Sequence, residues 1–414
     1  MGRHSAQAPE PDQHVPPPER ARRRKRWPVA AFVAVLLIVG GWYGWSWLHS
    51  GDATPVDAAG AVSCPAGPET IQVAATPSIS DAISDAAVAY GRTNPVVTDH
   101  CVRVSVSSVD EPTALGALRK TWDTATLGAK PDAWIADSSL WTNRLAAEAP
   151  KDIGDVAQSV ASSPVVLAMP EDAVRAMQTA SPPTYASLPA LLSQPNGWST
   201  YDEPGWGRFD VALPDPSSNS ASTLAVEAML DPATPQGQSP VTADLLASSA
   251  VRQSMDDLTA DQPTPQLSST YQALLALGAA SGITHAPFSA VPVSEVTLYE
   301  RNVGIDGGTT TGNVLDEVRL TGPTPSLDFP YLPLANYWVD TNATAAAQQF
   351  RDFLLTKQAQ VQLGMAGLRV PDGLLHPSPS PGMDWGNVAE GSAPTDATSY
   401  QRLTAAWTAS TSTR

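Results

Sequence analysis

The chain has 414 residues, with 24 Lys and Arg against 41 Asp and Glu, which gives a formal net charge of −17 at neutral pH. Residues 1–27 hold seven basic and three acidic side chains, so the remainder of the chain carries a net charge of −21. A body this acidic repels nucleic acid and anionic lipid headgroups, and we expect neither as its partner.

A basic cluster stands directly before a long uncharged segment near the N-terminus. Arg20–Arg26 contains five arginines and one lysine, and residues 28–48 contain no charged side chain. As an α-helix, these 21 residues would span roughly 30 Å, the thickness of a hydrocarbon core. Because basic residues stay on the cytoplasmic side, the pattern predicts a single-pass protein of the cell membrane with a cytoplasmic N-terminus and an extracellular body.

Two other interpretations of this segment stay open. A cleaved secretory signal would have a shorter apolar region, about 7–15 residues, followed by small residues at the cleavage site. A lipid-anchored cysteine is the third interpretation, because Cys64 follows Ala61-Val62-Ser63, although it lies 16 residues beyond the apolar segment. All three interpretations place the remaining chain outside the cell.

The chain beyond the membrane segment is long enough for two lobes. About 310 residues separate Cys64 from His376, which is more than one hydrophobic core usually covers. The predicted division is a disordered basic cytoplasmic stub (1–27), a transmembrane anchor (28–48), a spacer (49–63), lobe I (64–163 plus 326–371), lobe II (164–325) and a linker-like C-terminal tail (372–414) with one short helix over Tyr400–Trp407.

Short apolar strands alternate with helices in the first part of the body. The predicted strands are Thr70–Ala75, Val102–Val106, Ala133–Ala136 and Val165–Met169. The predicted helices between them run from Thr76 to about Tyr90, over Leu115–Trp122 and over Leu140–Glu148. This alternation predicts an α/β lobe with a largely parallel sheet.

The second part of the body continues this order. The predicted elements are a strand at Val211–Leu213, helices at Ala221–Leu230, Val241–Leu258 and Ser268–Leu277, a strand at Val293–Tyr299, an extended segment at Asp328–Leu334 and an amphipathic helix at Thr344–Leu363. Pro330 and Pro333 forbid a helix in the extended segment. We expect the chain to cross between the lobes near Ser163-Pro164 and near Leu327–Pro333, and these crossings would form a hinge.

The two cysteines, Cys64 and Cys101, both lie early in the exported region. In an oxidising compartment an isolated pair is most simply a disulfide. A reactive thiol is the alternative, since His100 is adjacent to Cys101, but adjacent residues on a strand point to opposite faces. We therefore predict a Cys64–Cys101 disulfide.

The sequence contains no pattern of an enzyme that we can recognise. The six histidines show no metal-ligand spacing, and two cysteines cannot make a zinc set. A Gly-x-Ser-x-Gly elbow, a phosphate-binding Walker loop and a glycine-rich dinucleotide turn are all missing from the sequence. We predict no catalytic residue, no metal site and no cofactor.

Small polar turns stand between a strand and a helix at three places in the chain. They are Thr76-Pro77-Ser78, Asp137-Ser138-Ser139 and Asp215–Ser220. In open α/β sheets such turns line the crevice at the carboxyl ends of the strands. Backbone N–H groups at helix starts can bind polar or anionic groups there. The alternative is that these residues only cap their helices, as Ser, Thr and Asp do in any protein.

Four segments resemble the bacterial extracellular solute-binding proteins of the type II periplasmic-binding fold. They are Pro131–Trp141 (PDAWIADSSLW), Ala161–Pro170 (ASSPVVLAMP), Leu213–Ser222 (LPDPSSNSAS) and Phe350–Arg369 (FRDFLLTKQAQVQLGMAGLR). The resemblance covers about residues 68–371 and implies a two-lobed α/β fold. With the turns above, it predicts ligand-binding residues at Thr76, Ser78, Asp137, Ser138, Ser139, Ser163, Ser218, Asn219 and Tyr299.

The segments are most similar to the solute-binding half of actinobacterial proteins that join such a module to a von Willebrand A domain. The sequence has no Asp-x-Ser-x-Ser metal motif, so a metal-dependent adhesion role is not carried over. The resemblance implies capture of a small polar solute between two lobes for import or sensing, with an ABC-type permease or another membrane partner. The alternative is a cell-envelope interaction or scaffold module whose cleft is degenerate. An extracytoplasmic hydrolase is a third and weaker hypothesis.

Overall fold

The computed structural model describes residues 63–233, 241–260, 262–306, 312–371, 375–391 and 394–412. The predicted stub, the predicted anchor at 28–48 and the spacer up to residue 62 lie outside the described residues. Among the helices of these described ranges, none has both the length and the apolar character needed to cross a membrane.

Twelve strands occur in the described residues. They are β1 (Gly67–Ala75), β2 (Val96–Val97), β3 (His100–Ser108), β4 (Ala133–Ile135), β5 (Gln158–Ser159), β6 (Ser163–Pro170), β7 (Val291–Ser294), β8 (Leu315–Val318), β9 (Pro323–Thr324), β10 (Ser326–Leu327), β11 (Pro330–Pro333) and β12 (Ala389–Glu390).

Fourteen α-helices accompany these strands in the described part of the chain. They are α1 (Pro77–Gly91), α2 (Glu111–Arg119), α3 (Thr124–Leu127), α4 (Ser139–Glu148), α5 (Glu171–Met177), α6 (Leu188–Leu192), α7 (Ser220–Leu230), α8 (Ala243–Leu246), α9 (Ser249–Thr259), α10 (Thr270–Gly278), α11 (Glu295–Val303), α12 (Thr341–Leu354), α13 (Lys357–Met365) and α14 (Ala397–Ser412).

The first sheet has six strands in the order β2-β3-β1-β4-β11-β5. Its three central strands, β3, β1 and β4, are parallel, as the alternation of strands and helices predicts. The remaining strands, β2, β11 and β5, pair antiparallel with their neighbours, so the sheet is mixed. Ile71, Val73 and Ala75 on β1 are fully buried, and helices α1 and α12 pack against this strand.

The second sheet is built around β6, whose eight residues are all buried. Strands β7, β8 and β10 each pair antiparallel with β6. The two expected crossings lie side by side, since Leu327 of β10 pairs with Ser163 at the start of β6. Arg369 adds a third neighbour through two backbone hydrogen bonds with Ser162, of 2.7 and 2.9 Å. Three chain segments therefore run together where the chain passes between the two sheets.

The predicted strand Val293–Tyr299 is wrong beyond its first two residues. The strand β7 ends at Ser294, and α11 begins at Glu295. The Ser294 hydroxyl accepts a hydrogen bond from the Thr297 N–H at 3.3 Å, which caps the new helix. The last five residues of the predicted strand therefore belong to a capped helix, and Tyr299 lies on that helix.

The predicted single helix Thr344–Leu363 is two helices, α12 and α13. The break lies at Leu355 and Thr356, and the Thr356 hydroxyl accepts from the Ala359 N–H at 3.4 Å to start the second helix. Similarly, the predicted helix Val241–Leu258 divides into α8 and α9, because Ser248 caps the second of them. A mid-helix Ser or Thr that caps a new helix start explains both errors.

The segment after residue 371, predicted to be linker-like, contains the 16-residue helix α14. Tyr400, Leu403 and Trp407 recur at helical spacing and are buried. Before this helix, β12 pairs parallel with β9. The predicted short helix Tyr400–Trp407 is therefore confirmed as part of a longer helix that packs on the body, and the linker-like interpretation is wrong for this part of the segment.

The predicted disulfide is confirmed, because Cys64 and Cys101 are bonded with their Cα atoms 5.4 Å apart. Cys101 lies on β3, and the bond ties the chain just before β1 to that neighbouring strand. The sequence separation of the pair is 37 residues.

Replacing both Cys64 and Cys101 by Ser should lower the free energy of unfolding by about 3–4 kcal/mol. Without the disulfide, the unfolded chain is no longer closed into a loop of this length, so its conformational entropy is higher. Urea denaturation with and without reductant measures the effect, and alkylation of the native protein without reductant should find no free thiol. Equal stability of the variant and the oxidised wild type would contradict this expectation.

Candidate functional site

A cavity of about 260 Å³ lies between segments from the two sheets. From the first sheet, Thr76, Pro77 and Ser78 follow β1, and Asp137 follows β4. The opposite wall comes from β7, β10, α7, α10 and α11 of the second sheet. This position between the sheets, at the carboxyl ends of β1 and β4, is where open α/β sheets bind ligands.

Four helices begin at the cavity. The lining includes residues from the starts of α1, α7, α10 and α11. Helix starts carry backbone N–H groups and a partial positive charge, so each can orient a polar ligand group. The residues at these starts that line the cavity are Thr76, Pro77, Ser78, Asn219, Ala221, Ser269, Thr270, Tyr271, Ser294 and Thr297.

Three of these helix starts are capped by their own side chains. Asn219 accepts from the Ser222 N–H at 2.8 Å, Ser269 accepts from the Gln272 N–H at 3.3 Å, and Ser294 caps α11 as described. The Asn219 amide also donates to the Thr270 hydroxyl at 2.6 Å, which joins the starts of α7 and α10. The predicted alternative, that such residues cap helices, therefore holds for Asn219 even though it lines the cavity.

The start of α1 differs, because Thr76 makes no side-chain cap. Its hydroxyl instead hydrogen-bonds to the carboxylate of Glu111, a buried residue at the start of α2. Glu111 also accepts from the Asp137 N–H at 3.3 Å. Burial raises the pKa of Glu111 above its ordinary value, and these hydrogen bonds oppose that rise. The Glu111 carboxylate thus accepts the hydrogen bonds that donors at the ends of β1 and β4 could otherwise give to a ligand.

A second carboxylate occupies the start of α4. Asp328 accepts from the Ser139 N–H at 2.7 Å, and the hydroxyls of Ser138 and Ser139 also hydrogen-bond to it. Burial is the main cause that raises the pKa of Asp328. We predicted that N–H groups at Asp137-Ser138-Ser139 bind an anionic ligand. In the structure, Asp328 and Glu111 accept hydrogen bonds from these groups instead.

Asp137 joins the two sides of the cavity. Its carboxylate accepts from the Ser220 hydroxyl of α7 at 2.7 Å, and that hydroxyl accepts from the Trp141 indole N–H at 2.8 Å. Burial raises the pKa of Asp137 well above its ordinary value, and the charges of Glu111 and Asp328 raise it further. Three carboxyl groups therefore share this corner, which favours the protonated form of at least one of them.

Two further acidic residues, Glu300 and Asp306, line the opposite wall. Burial raises the pKa of Glu300 to about 9, with additional repulsion from Asp81 and Asp306. Among the described residues that line the cavity, there is no Lys, Arg or His. The cavity is therefore acidic on both walls and can accept hydrogen bonds from a ligand that donates them.

The structure places the residues predicted to bind a ligand in two groups. Thr76, Ser78, Asp137 and Asn219 line the cavity. The residues that do not line it are Ser138, Ser139, Ser163, Ser218 and Tyr299.

Each residue of the second group has another environment. Ser138 and Ser139 hold Asp328, as described. Ser163 is fully buried, and its hydroxyl accepts from the Val296 N–H at 3.0 Å. Ser218 is exposed on the turn before α7. Tyr299 packs against Trp385, with ring centroids 5.8 Å apart.

Sequence reasoning missed Glu111, Glu300 and Asp328. Glu111 follows the helix cap Asp110 and shows the ordinary pattern of an acidic first turn. Asp328 lies in an extended segment 217 positions later in the chain. No local signal joins these residues, because the pairing of β11 beside β4 brings them together. In the described ranges, no group of three His, Cys, Asp or Glu residues is arranged to hold a metal ion.

Residues 71–369 match a family model described as bacterial extracellular solute-binding protein. The chain belongs to this family. The α/β fold of periplasmic binding proteins, which the sequence segments predicted, is confirmed for the described body. Members of this family bind solutes, and the structural neighbours below are also binding proteins.

Relatives and solved structures show how far this likeness extends. An uncharacterized protein of Mycobacterium tuberculosis, in strains H37Rv and CDC 1551, is 31% identical over 346 residues, which are 83% of this chain and 48% of the relative. The chain thus spans about half the length of the curated relatives it matches. A periplasmic thiamin binding protein gives a TM-score of 0.51 at 12% identity, with 83% of this chain and 96% of that chain covered. The sulfate-binding protein SubI from Mycobacterium tuberculosis H37Rv gives 0.48 at 15% identity, with 74% and 88% covered.

The acidic cavity of this solute-binding protein makes its stability depend on pH. A carboxyl whose folded-state pKa is raised binds a proton more readily in the folded chain, so stability falls as pH rises between the unfolded and folded values. For Glu300 this interval runs from 4.5 to about 9. Glu300→Gln should therefore reduce the loss of unfolding free energy across this interval.

Urea denaturation at a series of pH values measures this slope. Glu171→Gln is the matched control, because Glu171 is exposed on α5, and its slope should equal that of the wild type. An unchanged slope for Glu300→Gln would show that Glu300 is ionised in the folded protein at neutral pH.

Proposed function

We propose that the protein captures a small, neutral or cationic polar solute in the cavity between its two sheets. The observation that carries this proposal is the composition of the cavity wall, in which Asp137, Glu300 and Asp306 face a space that four helix starts also border. Hydroxyl or ammonium groups of a solute would donate to these carboxyl groups. The volume of about 260 Å³ lies just below the usual range of pockets for drug-sized molecules, about 300–1,000 Å³.

An oxyanion fits this cavity poorly, because buried carboxyl groups line it, and any of them that ionises would repel the oxyanion. Asp328 accepts from the Ser139 N–H at the start of α4, and Glu111 accepts from the Asp137 N–H. Among the described residues, no basic side chain lines the cavity to offset such a charge. The sequence predicted a polar or anionic ligand, and we now restrict this prediction to solutes that donate hydrogen bonds.

A hinge at the paired crossings would let the solute drive closure. The proposed lobes are 64–163 plus 326–371 and 164–325. All strands of the first sheet belong to the first of these two lobes, which supports the proposal. Because ligand groups contact both walls, the closed state would bind the solute more tightly than the open one, and this difference would favour closure.

The proposed setting is the outer face of a cell membrane, with the segment 28–48 as the anchor. The captured solute would pass to an ABC-type permease for import or would act as a sensed signal. Support comes from the family of the chain and from the basic cluster before the apolar segment.

A second candidate function, a cell-envelope interaction or scaffold module, is favoured by the packing of α14. The Tyr400 hydroxyl donates to the Ser217 carbonyl at 2.9 Å on the side of the second sheet. Its ring lies 5.8 Å from that of Trp141 and 5.0 Å from the Arg144 guanidinium on α4, on the side of the first sheet. Helix α14 thus holds both sides, which would restrict the opening that solute exchange needs.

Thermal denaturation with a library of polyols, amines, amino acids and oxyanions tests the two candidates. A donor-rich neutral or cationic solute should raise the melting temperature, because a ligand at 100 times its dissociation constant adds about 2.7 kcal/mol. Sulfate and molybdate should have no effect. A response to oxyanions alone would contradict the proposed ligand class, and no response to any solute would favour the scaffold.

For a solute that binds, Ser78→Leu should weaken its affinity by at least about tenfold, or about 1.4 kcal/mol. The new side chain would fill part of the cavity beside the start of α1. Ser218→Leu is the matched control, since Ser218 is exposed and does not line the cavity. Isothermal titration calorimetry measures both, and equal affinities for the two variants would remove this cavity from the binding site.

A further inference from the structure

A second cavity, of about 200 Å³, lies at the far end of helix α7 from the solute cavity. The start of α7 contributes Asn219 and Ala221 to the solute cavity, and its later turns contribute Leu224, Glu227 and Ala228 to this one. The two cavities share no lining residue. A ligand of the second cavity would therefore contact different residues from a ligand of the first.

The walls of this cavity are rigid and mostly apolar. Tyr185 is buried, and its hydroxyl donates to the Val165 carbonyl of β6 at 2.8 Å, which fixes the ring. Pro323 of β9 and Pro325, which connects β9 to β10, form another wall. Ala186 and Pro323 are exposed, so the cavity opens onto the protein surface.

One buried carboxyl group interrupts this apolar lining. Glu227 is 6% exposed, and its Oε1 atom has no hydrogen-bond partner in the described part of the chain. An unsatisfied buried polar atom costs about 1–3 kcal/mol, and more when the group is charged. Burial raises the pKa of Glu227 to about 8, and the negative charges of Asp396 and Asp231 contribute. The Oε1 atom of Glu227 thus lacks the donor that a buried carboxylate oxygen requires.

The surroundings define what could supply that donor. Asp231 also lines the cavity, and in the part of the chain that the structure describes no Lys, Arg or His does. The local charge is therefore negative, which favours a cation and disfavours an anion. Tyr185, Leu224 and the two prolines would contact an apolar body. The volume is below the usual range for drug-sized ligands, so the molecule must be small.

We infer that this cavity is a second binding site, which takes a small organic cation with an ammonium group and a compact apolar body. The ammonium N–H groups donate to the Glu227 carboxylate, and the apolar body fills the space between Tyr185, Leu224 and the prolines. At neutral pH the Glu227 carboxyl group loses its proton to solvent as the cation binds, so binding releases one proton.

Cyclohexylammonium is the probe, with cyclohexanol and cyclohexanecarboxylate as neutral and anionic controls of the same shape. Calorimetry at neutral pH should detect binding of cyclohexylammonium to the full chain, with a heat that depends on the ionisation enthalpy of the buffer. The two control compounds should bind at least about tenfold more weakly, since one hydrogen bond to a charged group is worth about 1.5–3 kcal/mol.

Two variants locate the bound cation. Glu227→Gln keeps the shape of the side chain and should weaken cyclohexylammonium binding at least about tenfold and abolish proton release. Ala228→Phe should fill the cavity and also weaken binding. Glu300→Gln, in the solute cavity, should bind the probe as the wild type does.

Three results would overturn the inference. They are no binding of cyclohexylammonium to the wild type up to its solubility limit, equal binding of cyclohexanol, and loss of binding in Glu300→Gln with retention in Glu227→Gln. The last result would place the cation in the solute cavity. Binding that is lost in Glu227→Gln and kept in Glu300→Gln would support the second site even if no solute binds at the first cavity.

Discussion

The burial of carboxyl groups without a cationic partner is the constraint on which the solute cavity depends. Glu111, Asp137 and Asp328 meet where β1 and β4 end, and burial raises the pKa of all three. Backbone N–H groups and the hydroxyls of Thr76 and Ser220 hold them in place. A group of this kind is stable only when protons or hydrogen bonds replace the missing cations.

This constraint determines which chemical class of solute the cavity can bind. Family membership shows a solute-binding protein, but members of one fold can bind chemically different ligands, so the lining side chains must identify the class. In this chain three helix starts at the cavity are capped by their own side chains, Asp328 accepts at the nearby start of α4, and the opposite wall adds Glu300. The same acidic character recurs around Glu227, in a cavity with a different shape and a more apolar wall.

The sequence predicted much of the fold, because strong local signals specified it. The strand Thr70–Ala75 lies within β1, and the polar turns after β1 and β4 lie where the sheet places them. The disulfide followed from two cysteines in an exported segment. By contrast, Tyr299 was placed on a strand because the capping role of Ser294 was not recognised.

The solute cavity could be predicted only in part, for a physical reason. Residues that follow a strand, such as Thr76 and Asp137, carry a local signal of their position at the sheet edge. Glu111 and Asp328 carry none, because their meeting depends on long-range strand pairing. Single-sequence reasoning could identify the donors at Ser138 and Ser139, but it could not show that Asp328 already uses them.

Carboxyl ¹³C NMR of protein labelled at Asp and Glu tests this account most directly, by titration between about pH 4 and about pH 10. Resonances of Asp137 and Glu300, assigned by their loss in Asp137→Asn and Glu300→Gln, should titrate well above the range of exposed carboxyl groups. Normal titration of both would show that the cavity is solvated and its acids are fully charged, which would contradict burial without a cationic partner as the constraint on this cavity.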